Sequence, residues 1–411
     1  MIVGAGAAGL ATAIFTRRAN PRRAVTILDT AKKPGAKILV SGGSRCNVTN
    51  TIVTERDFWG GRSTIVRRIL RQFPVDETVA FFRDLGVPLH EEAGGKLFPD
   101  SNRARDVLDG LLRATHACGA TLLSAQRVID VEPIDGAFRV VTASGDLHAD
   151  CVVLATGGQS LPKTGSDGGG FAIAQRLGHT LVPATPALVP LLLDAADGFH
   201  RELSGVSHEV EIAIWIDGRV AERLSGAMLW THFGVSGPVA LNASRHWMRA
   251  HIEQRPVRLT VSFHPGQSFE EVDARWSGRA RETPRATVQS TLADTLPSSV
   301  AAAIASRLGV DRSVALAHFA RDDRRPLVRA LVEWPLPVTG TRGYNYAEVT
   351  AGGIALDEID PATMESRVRR GLYLVGEILD VDGRIGGFNF QWAWSTGFVA
   401  GRALASGAAR A

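Results

Sequence analysis

The sequence predicts an α/β fold in which one parallel-sheet domain is built from both ends of the chain. An inserted β-rich domain carrying a helical subdomain interrupts it. Three observations predict this. The first thirty residues read as strand, glycine turn, helix, strand; further glycine-rich turns follow apolar strands at 156–158 and 383–387; and from about Ala187 the pattern changes to alternating strands and then a charged helical stretch.

Each part follows from composition or spacing. A chain of 411 residues exceeds one ordinary core, and 45% apolar with 21% charged residues suits a soluble globular protein. No run approaches the length of a membrane-spanning helix. The opening "MIVGAGAAGLATAIF" is not read as a signal peptide, because Arg17 and Arg18 follow the apolar run instead of preceding it. Cys46, Cys118 and Cys151 stand far apart and the 11 histidines are scattered, so a reducing cytoplasm is expected and no metal site. The net charge of +4 is a weak sign of a nucleic-acid partner, since nearly all the basic residues are arginines spread along the chain.

"MIVGAGAAG" is a short apolar strand running into Gly4-x-Gly6-x-x-Gly9, and "LATAIFTRRA" is helical until Asn20-Pro21 stops it. "AVTILDT" is the next strand and ends on Asp29, placed for a ribose hydroxyl. Gly4 allows the tight turn and Gly6 lets backbone approach a pyrophosphate. Ala7 and Ala8 offer helix N-terminal N–H groups, and Gly9 lets helix and strand pack closely. This is a Rossmann-like dinucleotide unit. Only three residues precede Gly4, short for a central strand, which points to a truncated or misassigned start.

Helical segments follow, then "QRVIDVEP", "AFRVVTAS" and "LHADCVVLATGG" read as a meander returning to a buried strand that ends at Thr156-Gly157-Gly158. The expected domains are 1–186 with 346–411, an insertion of 187–267 with 335–345, and a helical subdomain over 268–334. Near the C-terminus comes a strand, the Gly376-Glu377 turn, a loop ending in Gly386-Gly387 and a long helix from Phe388 and Asn389. One complete glycine unit closed by such an ending is the plan of glutathione-reductase-like FAD proteins. Glu377 is expected near the ribityl or phosphate region, and the last helix points its positive end at the flavin N1–C2=O.

"GAKILVSGGSRCNVTN", "KLFPDSNRARDVLDGLL", "VVLATGGQSLPKTGSDGGGFAIAQRLGH", "WTHFGVSGP", "VTAGGIALDEIDPATMESR" and "GLYLVGEILDVDGRIGGFNFQWAWSTGFVAG" occur in order over nearly the whole chain. Together they resemble the BaiN/RdsA (YhiN-like) NAD(P)/FAD-dependent oxidoreductases. Ser44 stands where that family usually has a third glycine, Phe388 and Phe390 replace a common tyrosine and leucine, and 268–334 matches least. The resemblance implies non-covalent FAD and places the 37–50 loop beside the flavin. Lys37, Ser41, Gly42, Gly43, Arg45, Cys46, Asn47 and Asn50 then become lining candidates. Gly42-Gly43 would let backbone near the ring, and Lys37 or Arg45 would balance its charge. A polar capped loop, with Asn47 and Asn50 satisfying turn backbone, is the alternative.

Cys46 is a candidate acid for a substrate carbon, and packing is the competing reading. His232, in "WTHFGVSGP", is a candidate acid or base, against a buried or turn-capping histidine. The resulting expectation is hydride transfer through flavin N5, with NAD(P)H as a transient donor because no second fingerprint is present. The family's associated activities are ribosomal RNA dihydrouridine synthesis, bile-acid intermediate reduction and aminoacetone oxidation. They make a uracil in ribosomal RNA the concrete substrate and an oxygen-dependent small-amine oxidase the alternative enzyme. A flavin sensor or RNA-binding factor is the non-catalytic alternative.

Overall fold

A computed structural model describes residues 1–407. The described chain divides into two compact units, one of 1–186 with 344–407 and the other of 187–343.

The first unit is organised on a five-stranded sheet ordered Leu372–Leu374, Val152–Leu154, Ile2–Val3, Thr26–Leu28, Thr121–Leu123. Every pairing is parallel, and Ile2 sits opposite Val153 on one side and Ile27 on the other. Two-residue Ile2–Val3 is therefore the central strand. Its brevity is tolerated because both side chains are buried and both neighbours supply ladder partners. The strand Leu372–Leu374 comes from the far end of the chain, so the sheet is closed by the C-terminal segment.

Helix Ala7–Ala19 follows the first strand. Its alanines and Leu10 give it high helical propensity, Ile14 and Phe15 extend its broad buried face, and it ends where Asn20 turns extended before Pro21. The last helix, Phe388–Ser406, lies against it across two glycines. A Cβ on Gly397 would meet that of Ala11 at 2.9 Å, and one on Gly401 that of Phe15 at 2.7 Å. Small residues thus set the helix–helix approach that ties the two chain ends together. Strands Val128–Ile134, Ala137–Thr142 and Gly145–Ala149 form the antiparallel meander expected from their alternating pattern.

The second unit is a seven-stranded sheet in which every described pairing is antiparallel, with Ser207–Ile216 and Arg219–Thr231 as its long hairpin. The helices Phe269–Glu282, Val288–Ala293, Ser298–Arg307 and Arg321–Val332 cover the charged stretch. Their buried side, including Val272, Trp276, Val300 and Leu327, shares one hydrophobic core with Trp230 and Leu259 of the sheet. The first two of these helices begin with capping boxes, Ser268 with Glu271 and Thr287 with Ser290.

Candidate functional site

The three glycines of the first turn do different work. A Cβ on Gly4, whose φ is +105°, would lie 2.4 Å from the Ala155 carbonyl oxygen, and one on Gly9 would lie 2.0 Å from that of Gly4. These two glycines let strand, helix and the 155–158 turn touch. At Gly6 an added Cβ would meet nothing within 4 Å. Gly6 is also the N-cap of the first helix, which has neither a side-chain cap nor an acidic residue in its first turn. That open, uncapped helix start is a cradle fitted to a diphosphate. Asp29 accepts hydrogen bonds from the Ala5 N–H at 2.7 Å and the Ala31 N–H at 2.8 Å. Its carboxylate braces the turn and keeps lone pairs for a ribose hydroxyl.

At the other glycine turns, side chains from distant segments meet on Glu377. One carboxylate oxygen accepts from Thr350 N–H at 2.8 Å and the Ser160 hydroxyl at 2.9 Å, and the other accepts from Lys37 Nζ at 2.5 Å. Lys37 also reaches Ser160 at 2.5 Å. Thr350 Oγ1 accepts from the N–H groups of Gln159 and Ser160, and a Cβ on Gly158 would strike that hydroxyl at 2.4 Å. Gly157 and Gly376 both have φ in the left-handed region, and Thr156 packs against Gly170. Glu377 and Lys37 therefore act first on each other. Together they lock the 37–50 loop, the 156–160 turn and the Gly376-Glu377 turn to one another.

The loop breaks the helix Ala36–Ser44 at Ser41, after which Gly42, Gly43 and Ser44 all take positive φ, 54°, 67° and 67°. These three residues form an exposed arc with Val40, itself 50% exposed, on its approach. Ser44 adopts the left-handed conformation that a glycine would hold without strain. Ser41 donates to the Ile38 carbonyl and thereby caps the broken helix.

Several lining candidates turn away from this arc. Arg45 donates to Glu92 at 2.6 Å and lies over the Phe98 ring, so its charge is already balanced within the protein. Asn50 donates to the carbonyls of Gly94 and Gly386. With its amide oriented to suit its neighbours, Asn47 donates to Leu97 and Thr49 carbonyls and accepts from Gly387 N–H. Both asparagines are buried and hold the loop to the turn before the last helix, as the capped-loop alternative requires. At Gly387 a Cβ would lie 2.4 Å from the Thr49 carbonyl oxygen, so this contact needs glycine. Asn389 closes the same turn by pairing with both backbone groups of Gly383, and the Phe388 ring is buried with Arg384 over its face. Phe388 and Asn389 can therefore offer a ligand their backbone at the uncapped helix start, not their side chains.

Cys46 is corrected in position. Its side chain is 0% exposed, and desolvation raises its thiol pKa to about 12 against the opposing hydrogen bond with Ser41. In this structure Cys46 has no exposed surface to offer a ligand, as the packing alternative requires. His232 is exposed at the tip between strands Arg219–Thr231 and Gly234–Ser236 of the second unit, edge-on to Phe233.

The sequence reading missed Ser160, Thr350 and Glu348. The polar Glu348-x-Thr350 pair directly before the Gly352-Gly353 turn was the available signal. Glu348 is solvent-exposed between buried Ala347 and Val349, and its carboxyl pKa is raised by desolvation against the pull of Lys37 and Lys96. Among the described residues no cluster of ligating side chains suits a metal ion, and no helix is long and apolar enough to cross a membrane.

Residues 1–403 match the family described as HI0933-like protein Rossmann domain. The chain belongs to this family. As a member it is an FAD-dependent oxidoreductase, and the open Gly6 cradle and uncapped helix starts fit that cofactor. It is 34% identical to a 3-dehydro-bile acid delta(4,6)-reductase of Clostridium scindens, over 98% of each chain. It is 31% identical to the ribosomal RNA dihydrouridine synthase of Escherichia coli, over 98% of this chain and 97% of that one. A solved quinol-fumarate reductase shares the fold at TM-score 0.50 and 17% identity, over 100% of this chain and 72% of that one.

Proposed function

We infer that the protein is an NAD(P)H-driven reductase of a carbon–carbon double bond conjugated to a carbonyl, and that a uracil of ribosomal RNA is its substrate. One observation carries the reading. Two full-length relatives are named for reductions that share this bond chemistry: a steroid dienone in one case, and the uracil C5=C6 bond conjugated to C4=O in the other. Hydride delivery is the chemistry FAD supplies when bound.

The chain's own residues bind and orient. The first helix start would hold the diphosphate through backbone N–H groups, and Asp29 would accept a ribose hydroxyl. Gly42 and Gly43 present backbone with no side chain of their own to intervene, and Val40 offers an apolar contact beside them. The Lys37–Glu377 pair holds these walls in register. A uracil would have to leave any base stack to reach such a site, which favours an unpaired target nucleotide.

The test is mass spectrometry of ribosomal RNA from cells with and without the gene, with restoration by the gene in trans. Loss of dihydrouridine at a defined position is expected, and unchanged content refutes the RNA substrate. Reduction of a steroid dienone by the purified protein is the second reading, favoured by the relative at 34% identity.

A further inference from the structure

We propose that Glu348 is the proton donor of the reduction, the group that protonates the substrate carbon next to the carbonyl while hydride adds to the far carbon of the double bond. This rests on the conjugated-carbonyl reading above. The step balances: the C=C π pair takes the carboxyl proton, hydride forms the second C–H bond, and Glu348 is left as carboxylate to be reprotonated by solvent. NAD(P)H is the net reductant.

Placement carries the argument. The Glu348 carbonyl accepts from the Ser160 hydroxyl at 3.2 Å, and Ser160 also binds Glu377 and Lys37. The Glu348 backbone is thereby fixed where the 37–50 loop, the 156–160 turn and the Gly376-Glu377 turn meet, and its exposed side chain starts from that junction. The charges acting on its carboxyl come from the two flanks of that loop: Lys37 near its start and Lys96, whose strand position pairs with Asn50, at its end. Glu377 faces the same lysine, with both its oxygens already taken by Thr350, Ser160 and Lys37.

Two other proton donors of the first unit fail on position. Cys46 is sealed in the core, and Lys37 is committed to Glu377 and Ser160. Glu348 has neither restriction: its side chain is accessible, with Ala347, Val349 and Thr350 buried beside it in the chain. Desolvation favours its protonated form, which a donor needs, and the two lysines stabilise the carboxylate left behind.

The experiment compares wild-type holoprotein with Glu348→Gln and Glu348→Asp. Infrared difference spectra of 13C-glutamate-labelled protein, from about pH 4 to 8, read the carboxyl directly. A protonated-carboxyl band that persists above the ordinary glutamate range and vanishes in Glu348→Gln is expected. Its absence from wild type overturns the proposal. Stopped-flow then separates the two half-reactions. Bleaching of the flavin by NAD(P)H should be unchanged in Glu348→Gln. Its reoxidation by the RNA or by 2-cyclohexen-1-one should slow by about 10²–10⁴-fold and lose its pH dependence, with partial rescue in Glu348→Asp. Reoxidation by ferricyanide, which needs no carbon protonation, should stay at the wild-type rate. A variant that reduces the carbonyl substrates as fast as wild type overturns the role of Glu348 alone. A wild type that reduces neither substrate overturns the functional reading and the donor role with it.

Discussion

Replacing Glu377 by glutamine tests whether one ion pair holds three segments of the first unit together. The amide oxygen can keep the hydrogen bonds from Thr350 N–H and Ser160 Oγ, but the new NH₂ faces Lys37 Nζ across a gap of 2.5 Å. Two donors then oppose each other and the ammonium loses its counter-charge. A hydrogen bond to a charged group contributes about 1.5–3 kcal/mol, and breaking a fully buried pair costs about 3–5 kcal/mol. The two side chains are 28% and 19% exposed, so solvent screens part of this, and about 2 kcal/mol is expected. Lys37→Met should cost less, about 1 kcal/mol, because Glu377 keeps two other donors. In the double variant the losses should not add, leaving a coupling of about 1–2 kcal/mol. The assay is thermal unfolding of the holoprotein read at the release of flavin fluorescence. At about 2–4 °C per kcal/mol, Glu377→Gln should unfold about 4–8 °C below wild type. A shift within about 1 °C, or fully additive losses, would refute the bracing role.

Three further outcomes follow from the same geometry. Gly6→Ala should fold but bind FAD at least about tenfold more weakly, while Gly9→Ala should fail to yield soluble protein because its Cβ would lie 2.0 Å from a backbone oxygen; equal behaviour of the two sinks the division of roles. Cys46→Ala should keep full turnover and lose about 1–2 kcal/mol of stability, so a loss of turnover in a well-folded variant restores the thiol as a catalyst. In the second unit, burial together with Arg245 and Arg275 holds His246 at about 3 and His264 at about 4, below the ordinary 6.5. Their unfolded forms take up a proton near pH 6.5 and the folded forms do not, so stability is full above that pH and falls as pH drops towards 4. Melts at pH 5 against pH 7.5 should show a loss of up to about 2 kcal/mol for each histidine, flattened in His264→Gln.

Much of the first unit is legible from local spacing. A two-residue apolar strand, the Gly4/Gly6/Gly9 interval and Asp29 determine a strand–turn–helix–strand unit, because each demand acts within thirty residues and concerns backbone shape. The meander at 128–149 is readable for the same reason. The 37–50 loop could be marked as special by its glycines, but not sorted into residues that face a ligand and residues that face the protein.

That sorting depends on partners far away in the chain. Lys37 is separated from Glu377 by 340 positions and Asn50 from Gly386 by 336, and only folding brings them together. Arg45 reads as a free cation until Glu92 and Phe98 close on it, and Cys46 as a reactive thiol until the core seals it. Glu348 is the converse case: an unremarkable acid in sequence, made distinctive by the desolvation of its carboxyl and the two lysines that act on it. Composition and spacing determined the fold class and the kind of cofactor, since those follow from backbone periodicity and glycine placement. The tertiary structure decided which polar groups are left to do chemistry, because a side chain is available only when no other part of the chain has already claimed or covered it.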